Sequence, residues 1–396
     1  MRIALDLRWI RSEQIDGISR YAVNLAAHLL AVAPEHAYLF IGDPALLAHH
    51  FPQGLGANAR IVPCPHRLLS PKDFLLTPRF IEQFNVDVFH APHYLSSPLR
   101  SRCKKILTVF DVIPFLFPNA LSKSRLLWRI FYRAPAFAKR ILRSADAVLT
   151  ASQHTKRDII RLLRVPPENI HVVWSGIEAR FHADYQPDEG FWRRYRLPRK
   201  FLLYVGRQDP YKGLAYFVEA FALLPEAMRQ EYRVVIAGKT DARYIEDVHA
   251  VIRRHGLQDA VLFLDYVADD ALPLLYSAAT LLAHPSLYEG FGLPPLEAMA
   301  CGTPVVYADT SSLTELLGEA GMAVAPASAS ALAQGMRQLL DNESLRQMFR
   351  AKGLAHAQRY SWNEAARGVL DMYARVAANQ RVKSFNPERG QPHDTQ

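Results

Sequence analysis

Three cysteines in 396 residues, Cys64, Cys103 and Cys301, stand far apart, with none of the paired spacings used by zinc or dithiol chemistry. That excludes a disulfide scaffold and suits a reducing cytoplasm. Long apolar runs are also missing. The best, Ala271–Ala283, falls short of the ~18 residues a membrane-spanning helix needs. The opening Met1-Arg2-Ile3-Ala4-Leu5-Asp6 carries an acid early and reads as a strand, which argues against a signal peptide. With half the residues apolar and 21% charged, a disordered or collagenous chain is excluded. The length predicts two or three domains with sizeable cores.

Acidic residues are scarce only in the first half. Residues 1–180 hold 24 lysines and arginines against 13 aspartates and glutamates; the remainder holds 23 against 25. The basic excess therefore sits in one half, where it predicts either an anionic partner (a nucleic acid or a membrane surface) or a merely solvated face.

Short, nearly continuous apolar runs alternate with helical patterns. Arg2–Leu7, Tyr38–Ile41, Val86–His90, Ile106–Phe110, Asp146–Ala151 and His171–Ser175 read as strands, with Ile18–Leu30 a helix after the first. The rhythm restarts with Phe201–Gly206, Val234–Gly238, Val261–Leu264, Thr280–Ala283 and Pro304–Ala308. Such runs suit strands buried on both faces of a parallel sheet. Two series predict two α/β, Rossmann-like doubly wound domains, 1–180 and 181–361, divided within the polar stretch Gly176–Arg199. Their ligands are expected in a central cleft at the carboxyl ends of the strands. Trp362–Val376 reads as an amphipathic helix; residues 362–381 are expected to return to the first domain, and 382–396 to be a disordered tail.

Two loops of the second half carry chemistry. Gly206-Arg207-Gln208-Asp209-Pro210-Tyr211-Lys212-Gly213 follows a strand and offers two cations five positions apart, a forked donor and a point charge suited to a diphosphate. Ordinary charged turn residues would look the same. Ser286–Gly302 holds Glu289 and Glu297, with Gly290 and Gly292 between them, then prolines suited to a first helical turn and Gly302 as a stop. The amides of Gly290, Phe291, Gly292 and Leu293 could approach an anion closely. Helix capping alone would need neither the second glutamate nor the glycines.

The stretch Tyr-Glu-Gly-Phe-Gly-Leu-Pro-Pro-Leu-Glu-Ala-Met-Ala-Cys-Gly-Thr-Pro-Val-Val resembles the Glu-x7-Glu signature of retaining glycosyltransferases of the GT-B fold. The match is best to the family-four mannosyl-, glucosyl- and rhamnosyltransferases. Gly206–Gly213 is similar to that family's phosphate-binding loop. Asp16–Tyr21 is similar to its glycine turn, Asp87–Pro92 and Phe110–Pro114 to its Phe-His-x-Pro and His-Asp-x-Ile-Pro segments, and Tyr360–Trp362 to the start of its last helix. The resemblance spans residues 1–380. It implies an acceptor-binding first domain and a second domain that binds a nucleotide-sugar. Glu289 would hold donor-sugar hydroxyls and Glu297 the ribose. Arg207 and Lys212 would grip the diphosphate, aided by the Gly290–Leu293 amides and by Gly17. It also implies no cofactor and no metal, and no Asp-x-Asp pair occurs here.

In the first half, Gly17 opens a helix where a small residue lets a phosphate approach, or is a plain turn glycine. Asp111, His90 and His93 follow strands and are candidates for the catalytic and acceptor side; a histidine at a strand end is often a core residue. Relatives carry His-Asp where this chain has Phe110-Asp111, so that histidine's role does not transfer. Asp111, His90 or His93 supplies the contact, or the chain is a weakened member. On a helical wheel Arg125, Arg129, Arg133, Lys139, Arg140 and Arg143 share a face of about 120°, flanked by Trp128 and Tyr132. That stripe predicts peripheral contact with the anionic inner face of a membrane, or a solvated basic face. Pro135 interrupts it.

The leading reading is a metal-independent hexosyltransferase moving mannose from GDP-mannose to a lipid-linked or growing surface glycan. The alternatives are a nucleotide-sugar epimerase and a binding scaffold of the same fold. A nucleic-acid binder finds no supporting motif.

Overall fold

The computed structural model describes residues 1–12, 16–52, 54–96, 101–117 and 135–378. The chain forms two compact units, Met1–Gly176 with Ser361–Gln396, and Ile177–Tyr360. The boundaries fall four residues and one residue before those read from sequence. The reason is local: Ile177 N–H donates to the Tyr360 carbonyl at 2.9 Å, so the second unit begins and ends on one hydrogen-bonded pair. Gly176–Arg199 is accordingly not a plain linker. Asp188 caps a helix over Glu189–Tyr195, Phe191 of that helix is buried, and the Arg199 guanidinium lies 4.8 Å over the Trp192 ring.

The first unit contains a seven-stranded parallel sheet of β1 (Arg2–Asp6), β2 (Ala37–Ile41), β3 (Ala59–Val62), β4 (Val88–Ala91), β5 (Lys104–Val109), β6 (Ala147–Thr150) and β7 (Ile170–Val172). Its order is β3-β2-β1-β4-β5-β6-β7. The central strands are buried on both faces, as their apolar runs require. Gly17–Val32 follows β1, capped by Asp16, whose carboxylate accepts the Ser19 N–H. The helix Trp362–Ala377 belongs to this unit: Trp362, Ala366, Val369, Met372 and Tyr373 share a core with Tyr21, Leu25 and Leu29.

The second unit holds a six-stranded parallel sheet of β8 (Phe201–Val205), β9 (Arg233–Ala237), β10 (Val261–Leu264), β11 (Leu281–His284), β12 (Val305–Ala308) and β13 (Met322–Val324), ordered β10-β9-β8-β11-β12-β13. Sequence reasoning missed β3 and β13. Both are short edge strands: Arg60 breaks the apolar run of β3, and the three residues of β13 are too few to stand out as a run.

The basic stripe is only partly visible, because Arg125, Arg129 and Arg133 lie outside the described residues, as do residues 379–396. The described part of the stripe is a helix, Pro135–Arg143. On it Ala138, Ile141 and Leu142 are buried while Arg140 and Arg143 are exposed. Among the described residues no helix is long and apolar enough to cross a membrane.

Candidate functional site

The second sheet reverses its winding between β8 and β11, which lie side by side with Leu202 opposite Leu281. Loops leaving the carboxyl ends of two such strands diverge, and the crevice between them is where open α/β sheets bind ligands. Here those loops carry the two motifs read from sequence. Gly213 has φ +73°, and a Cβ on it would lie 2.3 Å from the Pro285 carbonyl oxygen. The Leu287 N–H donates to the Tyr211 carbonyl at 2.7 Å. Only glycine lets the loops approach this closely.

That approach joins Lys212 to Glu289. Lys212 Nζ is 2.8 Å from both carboxylate oxygens, and His284 Nε2 is 2.9 Å from Oε1. Glu289 is buried, and burial alone would raise its pKa. The Lys212 ammonium and the His284 hydrogen bond overcome that and hold the carboxyl well below the usual carboxylate range. The carboxylate is therefore ionised, and His284 donates from Nε2.

The second cation is placed differently. Arg207 Nε donates to Asp209 Oδ2 at 2.7 Å and Nη2 to the Tyr211 hydroxyl at 3.0 Å, yet 61% of its side chain remains exposed. Both cations are thus paired with carboxylates, so a diphosphate entering here would share or displace those partners. Four buried polar atoms on the same two loops and strand end have no hydrogen-bond partner among the described residues: Gln208 Nε2, Asp209 Oδ1, His284 Nδ1 and Ser286 Oγ. Unpaired buried polar groups are costly, and four of them fall at these two motifs.

The Glu289–Gly292 turn is fixed by Ser311 and Ser312. The Glu289 N–H donates to Ser311 Oγ at 3.0 Å. The Ser312 hydroxyl lies 2.9 Å from the Glu289 carbonyl oxygen and 2.8 Å from that of Phe291. With those carbonyls turned toward Ser312, the amides of Gly290 and Gly292 face the opposite way, since each peptide is planar and trans. Gly292 has φ +121°, and a Cβ there would meet Leu313 at 2.9 Å, so glycine is required by backbone and packing together.

Leu293–Ala300 then forms a helix with its prolines in the first turn and Gly302, at φ +79°, beyond its end. Glu297 lies past that first turn, where the helix dipole has faded. Its Oε2 accepts the Tyr276 hydroxyl at 2.9 Å, and the side chain is buried. Its surroundings are set by Tyr276 rather than by the helix end.

The first unit separates its candidates. Gly17 is the first residue of its helix, and a Cβ on it would meet nothing within 4 Å. The fold does not demand glycine there, and the space is open. His90 departs from the acceptor role read for it. It is fully buried, with Nδ1 2.7 Å from the Tyr373 hydroxyl and Nε2 2.8 Å from Thr108 Oγ1. Both ring nitrogens are satisfied inside the core, and burial lowers its pKa to about 3. It is a structural residue. His93 is buried between Trp9 and Tyr94, with ring centroids at 4.1 and 4.9 Å, and its Nδ1 accepts the Leu95 N–H at 3.1 Å. Burial, helped by Arg11, lowers it too to about 3, so this ring is neutral. Asp111 is half-buried and accepts the Ile113 N–H at 2.9 Å. Phe110 packs edge-on against Tyr21 at 4.7 Å, filling its position with an apolar contact.

Sequence reasoning missed His284, Tyr276, Ser311 and Ser312. Only His284 carried a signal, as a polar residue ending an apolar strand just before Ser286.

Two family models match the chain: Glycosyltransferase Family 4 over residues 15–181 and Glycosyl transferases group 1 over residues 193–356. The chain is 30% identical over 380 residues to the O-antigen chain mannosyltransferase B of Escherichia coli, covering 91% of this chain and 96% of that one. Among solved structures it is similar to sucrose-phosphate synthase from Thermosynechococcus elongatus (TM-score 0.73, 22% identity, 96% of this chain and 100% of that one). It is also similar to the Anabaena protein Alr3699/HepE, solved in complex with UDP and glucose (TM-score 0.71, 20% identity, 94% and 99%). With two parallel α/β units, the Glu289–Glu297 motif on the strand-end loops, and this match along its length, the chain belongs to the family-four glycosyltransferases of the GT-B fold.

Proposed function

We propose that this glycosyltransferase moves mannose from GDP-mannose to a growing, lipid-linked surface glycan, with retention of anomeric configuration and without a metal. The observation that carries the reading is the cluster Lys212–Glu289–His284 beside Arg207 on adjoining loops, with Glu297 held by Tyr276. The mannosyltransferase relative supports the sugar, and the neighbour solved with UDP and glucose supports a nucleotide-sugar donor.

In this reading Lys212 and Arg207 take the donor diphosphate, neutralising the leaving group as a divalent ion otherwise would. The Gly290–Leu293 amides add donors free of bulky side chains at two of four positions, and the open space at Gly17 admits a phosphate. Glu289, ionised at neutral pH, accepts sugar hydroxyls, and Glu297 accepts ribose hydroxyls. The bond from C1 to the phosphate oxygen breaks, the acceptor oxygen bonds to C1 on the same face, and the acceptor's proton passes to the departing phosphate.

GDP-mannose turnover with and without an α-mannoside acceptor, with the product anomer read by NMR, tests this. Transfer with retention that is lost in Glu289→Ala and Lys212→Ala is the expected result. Phe110 against Tyr21, with His90 sealed in the core, favours a second reading as a nucleotide-sugar-binding scaffold. Tight nucleotide binding with no turnover of any donor would select it. Association with the inner face of the cytoplasmic membrane rests on the exposed Arg140 and Arg143. Reversing both to Glu should weaken binding to anionic vesicles.

A further inference from the structure

An ionised carboxylate offers about four lone-pair positions, and an ammonium about three N–H donors. At Glu289 most of these are spent. Oε1 accepts both Lys212 Nζ at 2.8 Å and His284 Nε2 at 2.9 Å, and Oε2 accepts Lys212 at 2.8 Å. Counted this way, one acceptor position remains for a sugar and one Lys212 N–H for a diphosphate. A sugar that presents two hydroxyls, and a phosphate that takes more than one donor, both require Lys212 to release the carboxylate.

Lys212 has room to move, whereas His284 is fixed by its strand. Lys212 ends the Pro210–Lys212 turn with 18% of its side chain exposed, on a long flexible stem. His284 is the last residue of β11, in register with Tyr307 of β12, and its side chain is 2% exposed. Its Nδ1 is buried without a partner among the described residues, so the ring's hydrogen bonding is given over to Glu289. A strand end that needed only bulk would carry an apolar side chain and avoid that cost. His90 is the contrast, since Tyr373 and Thr108 satisfy both of its nitrogens.

Charge balance gives His284 its importance. Lys212 and His284 are the titratable groups that hold Glu289, with the buried Tyr204 farther off on β8. Once Lys212 has turned to a phosphate, burial favours the protonated carboxyl, and the His284 N–H opposes that. The backbone stays anchored, because the Glu289 N–H donates to Ser311 Oγ at 3.0 Å. The side chain is the part left to swing.

We propose that His284 is a positioning residue of the transfer, holding the Glu289 carboxylate on the donor sugar while Lys212 turns from that carboxylate to the diphosphate. This role rests on the reading of Lys212 and Glu289 as donor-binding residues.

The test uses the full chain, with GDP binding followed by calorimetry, GDP-mannose turnover by product formation and folding by Tm. His284→Leu removes the N–H and keeps the strand end filled. His284→Gln restores an N–H at the reach of Nε2, and His284→Asn places one nearer Nδ1 and keeps the test open if the leucine variant misfolds. Turnover at saturating GDP-mannose should fall about tenfold or more in the Leu and Asn variants with GDP affinity retained, and Gln should recover much of it. GDP binding should also draw in more protons in His284→Leu than in His284→Gln, read in buffers of different ionisation heat. Neither variant has an imidazole, and the nucleotide's own titration cancels in the difference. Equal proton uptake in those two variants would overturn the proposal. So would equal turnover in them where GDP-mannose is consumed, a GDP affinity that falls in step with turnover, or a wild type that binds neither GDP nor pyrophosphate. If the wild type binds GDP but never consumes GDP-mannose, the transferase reading fails while proton uptake still decides the role of His284.

Discussion

Lys212 Nζ sits 2.8 Å from each carboxylate oxygen of Glu289, although 77 positions separate the two in sequence. The pair is mostly buried, so its members are not equivalent to free charges. Removing one leaves the other unmatched in low dielectric. Lys212→Ala should lower stability by about 3–5 kcal/mol in urea unfolding. Replacing both by apolar residues, as in Lys212→Met with Glu289→Leu, should recover much of that loss while abolishing donor turnover. If the double variant were no more stable than the single one, the pair would not be the source of the loss.

The depressed pKa of Glu289 has a sign that acid titration can read. The folded protein holds this carboxyl ionised below the unfolded value, so its contribution is present at neutral pH and is lost as pH falls below about 4. The stability difference between the wild type and Glu289→Gln should therefore shrink on acidification from pH 7 to 3. A difference that stayed constant across that range would contradict the assignment.

His90 and His93 titrate in a higher window. Each has a folded pKa of about 3 against about 6.5 unfolded, so the unfolded chain binds the extra proton between those values. Stability should fall as pH drops from about 6.5, by about 1.4 kcal/mol per pH unit for each ring. His90→Gln should flatten that slope and leave nucleotide affinity unchanged, because His90 bonds Tyr373 and Thr108 in the core.

Two glycines should behave oppositely. Gly17→Ala meets nothing within 4 Å and replaces glycine in a helix, so stability should hold or rise by about 0.4–1 kcal/mol. Donor turnover should nevertheless drop, because the added methyl occupies the space offered to a phosphate. Gly292→Ala forces φ +121° on an L residue and drives a Cβ against Leu313, so it should cost about 1–3 kcal/mol. Thermal unfolding alongside donor hydrolysis separates the two effects.

Tyr276→Phe removes the hydroxyl that donates to Glu297 at 2.9 Å. A buried hydrogen bond to a carboxylate is worth about 1.5–3 kcal/mol, and Tm should fall accordingly. If Glu297 holds the ribose, affinity for the nucleoside diphosphate should fall as well, while the rate at saturating donor changes little.

Much of the architecture is legible in one dimension because a parallel strand buried on both faces must be apolar at every position. Val234–Gly238 announces itself that way, and β9 lies there within a residue at either end; Val261–Leu264, the half-buried edge strand β10, reads plainly because its four residues are all apolar. β3 and β13 do not, since Arg60 interrupts the first and the second is only three residues long. The Glu289 and Lys212 motifs are likewise visible, because local spacing and glycine placement sit within a dozen residues.

What a linear reading of this chain determines is which residue types occupy each strand end. Periodicity and turn chemistry are local, and a strand's carboxyl end is where its apolar run stops. Which of those ends become neighbours is decided by the order of strands in the sheet. The switch from β8 to β11 brings Lys212 to Glu289, and Tyr373 of the helix Trp362–Ala377 together with Thr108 of β5 takes both nitrogens of His90 out of play. Burial and partner choice are properties of the folded whole. The same histidine at a strand end becomes a carboxylate's donor at position 284 and a core residue at position 90.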